Sequence, residues 1–420
     1  AVYEQYEKQI NATITLTAIL ECNDDHTRIE LKKSGGRMGF RGSSLSEERS
    51  IESDVIDFIM GGNMSNHSLL SSILLIGFLL QGFAGTCQVM HPQSQIDFVK
   101  TQLKNRQEPY WEAYQELLAY ADTALRMEHH ALQDFNVPGF YVDPDAHRNN
   151  SKSLQTDAFN AYACALAYRL GGKKKYGKRA VYFLKAWADT NQSYSEADGP
   201  LVMAYSGPAL MIAAELMQDS DIWKKEDLAK FHAWVANVYR KACNEIRERK
   251  NNWADWGRYG SILSAAFLQD ELEMQENIRL IKSDLFEKIA ADGHMPEEVR
   301  REERGLWYTY FSLAPITAAC WAVLQTEGTD LLHMEEDGHS IKSALDYLLK
   351  YVKNPDSWPW HENQRPGAPD SWPGNLMEAM EMVYHEPAYG EYVDGHQPVS
   401  YPSHHFAWTF PTLMKPMMKY

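Results

Sequence analysis

From Gln93 onward, apolar positions recur with helical spacing almost without interruption. Phe159, Tyr162, Ala163, Leu166 and Leu170 form one stripe, and after Gly171 and Gly172 a second runs through Ala180, Phe183, Leu184 and Trp187. Two amphipathic helices joined by a short glycine turn make a hairpin. Leu210, Ala213, Ala214 and Met217 predict a third helix, and Leu228, Phe231, Val235 and Val238 a fourth. Further helices are predicted around Ile262 to Leu268, Ile278 to Ile289, Phe311 to Leu324 and Ile341 to Val352. No stretch of this region shows the strict alternation of a strand. Each hairpin carries one apolar stripe that must be buried against its neighbours, so a series of them either coils into a solenoid or closes into a ring. The short fixed period of a tetratricopeptide array is missing. An all-α fold is therefore expected, an α/α toroid or incomplete barrel of helical hairpins around a central cleft.

Two regions break the rhythm. Residues 354–374 interleave Pro355, Pro359, Pro366, Pro369 and Pro373 with Trp358, Trp360 and Trp372, the composition of a long ordered loop that borders a site. Upstream, Met64 opens a short polar start, an apolar run from Leu69 to Leu80, and small residues at Gly82, Ala84 and Gly85. This reads as a secretory signal over residues 64–85, too short to span a bilayer comfortably. Residues 1–63 show no sustained period, so we expect an upstream extension there, disordered or an artefact of the gene model, with the natural product starting at Met64. Residues 86–420 then form the helical domain. On that expectation the protein is secreted, extracellular or periplasmic, with no membrane contact once the signal is removed. The sequons at Asn149 and Asn191 become possible glycan sites.

Charge narrows the partners. Lys and Arg total 41 against 57 Asp and Glu, a formal net charge of −16 in 420 residues. A general nucleic-acid binder is excluded by that balance. A polyanionic substrate needs a local basic cluster, because the field in a cleft is set by nearby charges. Cys22, Cys87, Cys164, Cys243 and Cys320 are scattered with no CxxC pair, which excludes a zinc ribbon. No HExxH spacing appears, and the pairs His129-His130 and His404-His405 are adjacent instead of one helical turn apart. No metal and no cofactor are expected.

Two segments carry candidate chemistry. Asn251-Asn-Trp-Ala-Asp-Trp-Gly follows a basic helix end, and its plain reading is a helix stop with two core tryptophans. Asp292-Gly-His-Met-Pro-Glu-Glu-Val-Arg-Arg-Glu-Glu-Arg-Gly-Leu-Trp-Tyr-Thr-Tyr places Arg300, Arg301 and Arg304 ahead of Tyr308 and Tyr310. Its plain reading is a charged helix face. Arg301 and Tyr308 are seven apart, however, so that if this stretch is helical they share one face about two turns apart. A guanidinium and a phenol converging on one cleft suit a carboxylated sugar.

With these segments, and with LQTDAFNAYACALAYRLGG, KYGKRAVYFLKAWAD and GTDLL, the sequence resembles the alginate lyase superfamily, notably polysaccharide lyase families 5 and 38. The resemblance covers most of residues 93–385. It implies a helical toroid and β-elimination of a uronic-acid polymer, glucuronan or mannuronate-rich alginate, by a monomer. It also implies roles: Asn252 for the asparagine that binds the substrate carboxylate, Arg301 for the arginine near the reacting sugar, and Tyr308 for the catalytic tyrosine. Family 5 enzymes carry a histidine where this chain has Trp253, so His147 or His294 is a candidate for that function. Asn251, Trp253, Arg300, Arg304, Tyr310, Trp358, Trp360 and Arg365 are candidate substrate-binding residues.

The chemistry explains the residue types. The proton α to a carboxylate is too weakly acidic while the carboxylate keeps its charge. Asn252 and Arg301 would neutralise it, and a nearby guanidinium would draw Tyr308 toward phenolate. In gluco- and manno-configured uronates the C5 proton and O4 lie on one side of the ring, so one tyrosine can take the first and protonate the second. Guluronate puts them on opposite sides and calls for a separate base. Two rivals are an inverting glycosidase using Asp255, Asp292, Glu297 or Glu298, and a non-catalytic glycan-binding scaffold.

Overall fold

The computed structural model describes residues 89–418, together with the backbone of three strands upstream. The chain divides into two units, Ala1–Ala84 and Gly85–Tyr420. In the first, β1 (Val2–Glu7), β2 (Ala12–Asn23) and β3 (His26–Gly35) form an antiparallel sheet in sequence order. Val2 pairs with Thr17 and Asn23 with His26. The expected signal at residues 64–85 lies outside the described residues.

The second unit is the α/α toroid that the hydrophobic period predicts. It opens with α1 (Gln93–Lys104) and α2 (Tyr110–Ala124). The hairpin of α3 (Pro144–Gly171) and α4 (Lys174–Thr190) follows, turned by Gly172 at φ +70°, a conformation that favours glycine. Next come α5 (Gly199–Ser206) and α6 (Pro208–Met217), every residue of which is buried. Residues 199–217 are long and apolar enough to cross a membrane, but they form the core of the ring.

The predicted fourth helix is three pieces, α7 (Lys225–Trp234), a π turn over Val235–Tyr239, and α8 (Arg240–Ile246). Then α9 (Asn252–Leu268) packs on α8, α10 (Glu271–Lys288) and a long buried helix. That helix is α12 (Gly305–Glu327), reached through the single turn α11 (Pro296–Val299). The circuit ends with α13 (Ile341–Lys353), α14 (Gly374–Tyr384) and α15 (Pro387–Val393).

A segment without regular structure, residues 399–414, fills the ring from the far end of the chain and is buried over most of its length. It is pinned on every side by hydrogen bonds. Phe406 N donates to the Tyr205 carbonyl, Ser206 Oγ to the His404 carbonyl, Trp408 Nε1 to Thr317 Oγ1, and Asn375 Nδ2 to the Trp408 carbonyl. Three of these bonds, those to Phe406 N and to the His404 and Trp408 carbonyls, satisfy backbone that a helix or sheet would otherwise satisfy internally.

Three cysteines, Cys164, Cys243 and Cys320, are buried free thiols. Asn191 cannot carry a glycan in the folded chain. It is 3% exposed, its Nδ2 donates to the carbonyls of Leu132 and Ser193, and its Oδ1 accepts from Trp234 Nε1.

The contact between α8 and α9 is close because Gly257 has no side chain. A Cβ there would sit 2.6 Å from the Cys243 carbonyl oxygen and 2.9 Å from the Arg247 nitrogen, both backbone. Gly257→Ala is expected to destabilise the protein by about 1–3 kcal/mol, measured as a lower urea midpoint with unchanged m-value.

Candidate functional site

Asn251 does not stop the preceding helix; it starts the next. Its extended backbone and its Oδ1, which accepts from Trp253 N at 3.3 Å, make it the N-cap of α9. The first residue inside the helix, Asn252, is 1% exposed and bound twice by one carboxylate. Glu298 of α11 accepts from Asn252 N and from Asn252 Nδ2, both at 2.7 Å. Asn252 Oδ1 is buried and has no partner among the described residues. An amide nitrogen carries two hydrogens, so one remains after Glu298 takes its share.

Burial pushes the Glu298 carboxyl up to about 7, reinforced by Asp255 and opposed by the Asn252 donors and by Lys288. Beyond Glu298 lies a cavity of about 160 Å³ lined in part by Lys250, Lys288 and Ser312, roomy enough for water to exchange its proton.

One helical turn from Glu298, Arg301 places its guanidinium 4.3 Å from the centroid of the Tyr308 ring. Tyr308 lies just ahead of the continuously buried run of α12, half-buried, with Trp307 edge-on at 4.8 Å. Its hydroxyl lies 3.2 Å from that of Tyr141, which is 69% exposed on the loop before α3. Burial raises the Tyr308 phenol above its ordinary value, the bond to Tyr141 adds to the rise, and Arg301 opposes both. The expected drift toward phenolate is thus outweighed, and the resting group is the neutral phenol. Arg304 stands 5.4 Å from the Phe140 ring and 5.9 Å from the Tyr141 ring, so a second guanidinium faces the same cleft.

The rest of the site joins His147, one of the two histidines the sequence singled out, to Asp198, Tyr205 and His404, which it did not assign to the site. Asp198, just before α5, accepts from Phe140 N at 2.8 Å and lies 3.3 Å from His147 Nδ1. Burial opposes charge on His147, but Asp198 and the Pro138 carbonyl outweigh it and raise the imidazole above its ordinary value, with Arg148 pushing slightly the other way. Tyr205 and His404 complete the wall, their rings 5.5 Å apart and edge to face. His404 also stacks on Trp307 at 6.0 Å. Burial, with a smaller push from His147, brings its imidazole down to about 4, so it is neutral at physiological pH. Sequence alone flagged His404 only as half of an adjacent pair unsuited to metal.

Comparison with known proteins follows the same lines. A profile of the alginate lyase family matches residues 92–358, well over half of the chain. The chain belongs to the alginate lyase family. An alginate lyase of Pseudomonas syringae pv. tomato is 22% identical over 246 residues, covering 53% of this chain and 61% of the relative. An alginate lyase of Cobetia marina is 26% identical over 141 residues, covering 33% and 35%. The chain therefore spans less than two thirds of the length of these curated relatives. Among solved structures, an alginate lyase from Bacteroides ovatus superposes with a TM-score of 0.61 at 20% identity, covering 73% of this chain and 95% of that one. Alginate lyase A1-III from Sphingomonas species A1 gives 0.63 at 16% identity, covering 76% and 94%. At these identities the likeness is one of fold.

Not every residue singled out from the alginate lyase resemblance reaches the cleft. Tyr310 is fully buried with its hydroxyl 3.0 Å from His405 Nε2, and Trp358 is 6% exposed against Tyr347 and Tyr351. Neither can touch a polymer; helical phase turns Tyr310 inward two residues after Tyr308. Arg300 is exposed and paired with Glu297 at 2.8 Å. His294 lies in a separate group, bound to Asp292 at 2.5 Å and 4.7 Å from the Trp360 ring. Trp360 is 45% exposed and donates to the Tyr347 hydroxyl, and Arg365 is exposed beside it in sequence. Trp253 is half-buried under the Arg249 guanidinium at 3.8 Å. The carboxylates that a glycosidase would need are all engaged: Asp255 by Lys288 and Ser312, Asp292 by His294, Glu297 by Arg300 and Glu298 by Asn252.

The state of Glu298 sets a pH dependence. Folded, it holds its proton up to about pH 7, while its ordinary value is 4.5. A carboxyl raised by folding contributes stability that is full below 4.5 and is lost as pH rises through 7. Wild type is therefore expected to lose stability relative to Glu298→Gln between pH 4.5 and 8, by about 1.4 kcal/mol per unit of separation, read from paired urea midpoints.

Proposed function

We propose that this protein cleaves a uronic-acid polymer, glucuronan or mannuronate-rich alginate, by β-elimination. Family membership supports the reaction class, and the observation that carries the reading is the Arg301 guanidinium over Tyr308, with Asn252 one carboxylate away. The solved relative A1-III has been captured with a tetrasaccharide, which is the kind of ligand this cleft would take. Arg301 opposes the charge that builds on the sugar carboxylate as the C5 proton leaves, and Asn252, buried against Glu298, stands behind it. Tyr308 stands ready to protonate O4, because burial keeps its hydroxyl intact at rest. In its phenolate form, which Arg301 favours, the same group takes the C5 proton from gluco- or manno-configured units. Arg304 and Arg148 supply positive charge at the mouth against the chain's net −16. We further propose that the protein acts outside the cytoplasm, as the apolar run Leu69 to Leu80 implies.

Wild type incubated with mannuronate blocks or glucuronan is expected to release unsaturated ends, seen as rising ultraviolet absorbance. Tyr308→Phe should lower kcat roughly 10²–10⁴-fold with KM little changed. Retention of full turnover by that variant, or products without the double bond, would reject the reading.

A further inference from the structure

The arginines around the start of α9 fall into two groups. Arg247 is bound by Glu273, Arg258 by Asp284 and Arg300 by Glu297, so each is neutralised within the protein. Arg249 and Arg301 differ. No carboxylate of the described residues pairs with either, and each guanidinium lies on an aromatic ring instead.

Chain connectivity brings these two charges to the same hydrogen-bonded pair. Arg249 is exposed in the turn between α8 and α9, three residues ahead of Asn252, and the ring beneath its guanidinium, Trp253, follows Asn252 directly. Asn252 is tied to Glu298, three residues ahead of Arg301. Lys250, next to Arg249, lines the cavity beyond Glu298. The turn that carries Arg249 therefore adjoins the Asn252–Glu298 pair, as Arg301 does from the side of α11. Successive side chains of a helix are ~100° apart, so Trp253 and Asn252 serve different points around α9.

The contact itself favours anion recognition. Arg249 Cζ is 3.8 Å from the centroid of the Trp253 ring, and the indole in turn packs against the core. A guanidinium stacked on a fixed indole has less freedom to lose on binding, and its N–H edge is left for a carboxylate, which it can meet with two parallel hydrogen bonds. A simpler account is that Arg249 only complements the C-terminal end of α8, where its backbone N donates to the Ile246 carbonyl. That account needs a positive charge but no aromatic support.

We propose that Arg249, held on Trp253, is a specificity-determining residue of this site: it binds the carboxylate of a uronate unit adjoining the one that is cleaved. The inference rests on the β-elimination reading above. A polyuronate presents one carboxylate per unit, so a second cationic point beside Asn252 selects runs of charged units. A uronate whose neighbour is neutral loses that point of attachment.

The test uses mannuronate blocks or glucuronan, and the same polymer after partial reduction of its carboxylates to alcohols. The remaining uronates stay open to elimination, but many then have neutral neighbours. Initial rates are followed by ultraviolet absorbance for wild type, Arg249→Gln and Arg249→Lys. On the fully charged polymer Arg249→Gln should raise KM at least about 10-fold with kcat little changed, as expected for an interaction made equally in the ground and transition states. On the reduced polymer the gap in KM between wild type and Arg249→Gln should shrink. Arg249→Lys should recover part of the loss, since it restores charge without the planar fork. A merely helix-capping role would lower the urea midpoint of Arg249→Gln and leave KM in place. An unchanged KM on the charged polymer, an equal rise on both polymers, or no recovery with lysine overturns the assignment of Arg249 and leaves the lyase reading standing. Absence of unsaturated product from every uronan would instead overturn the lyase reading, and this inference with it.

Discussion

A closed ring of helical hairpins has to fill its own axis. The inward stripes of α3, α5, α6, α9 and α12 are rich in alanine, serine and glycine, which lets the helices approach but leaves the centre to something else. The irregular segment 399–414 takes that place and brings Phe406, Trp408 and Phe410 into the core. Because it is not helical, each of its backbone groups needs a partner from outside, and the partners come from helices all around the ring. His404 is delivered to the cleft by this segment, so the wall opposite Tyr308 exists only where the axis is filled.

The cleft shows how local charge can oppose global charge. The chain carries a formal −16, yet the acids near the reacting groups are each held by a donor: Asp198 by His147 and Phe140 N, Glu298 by Asn252. Burial raises the Glu298 carboxyl to about 7, so a large share of it carries no charge near neutrality. The Arg301 guanidinium lies on the Tyr308 ring, while that of Arg304 stands near Phe140 and pairs loosely with Glu303 at 4.0 Å. The charge of Arg301 is therefore left to an incoming anion.

The ring was legible in the sequence because it is written in repeated spacing: the stripe from Phe159 to Leu170 and its partner from Ala180 to Trp187 became α3 and α4. The nearness of Arg301 and Tyr308 was foreseen but not its geometry: α12 starts only at Gly305, Glu302 takes a φ of +54°, and the guanidinium reaches the ring across that break instead of along one helical face. Legibility failed where position depends on distant chain. Tyr141 meets Tyr308 across 167 residues, and Ser206 meets the His404 carbonyl across 198, so no spacing rule links them. Asn251 was read as a stop because Asn serves both ends of a helix, and only its extended backbone shows which end it caps. Tyr310 and Trp358 were placed in the site by residue type alone, and their depth decided otherwise.

The three unpaired thiols carry a consequence for the protein as a material. Cys164 and Cys243 are pushed up to about 12 by burial, and Cys320 is raised for the same reason, so none of them is a thiolate near neutrality. They neither need an oxidising compartment nor respond to one while the ring is closed. An alkylating reagent can reach them only when a helix lifts away, and the rate at which it does so counts the openings of α3, α8 and α12 one by one.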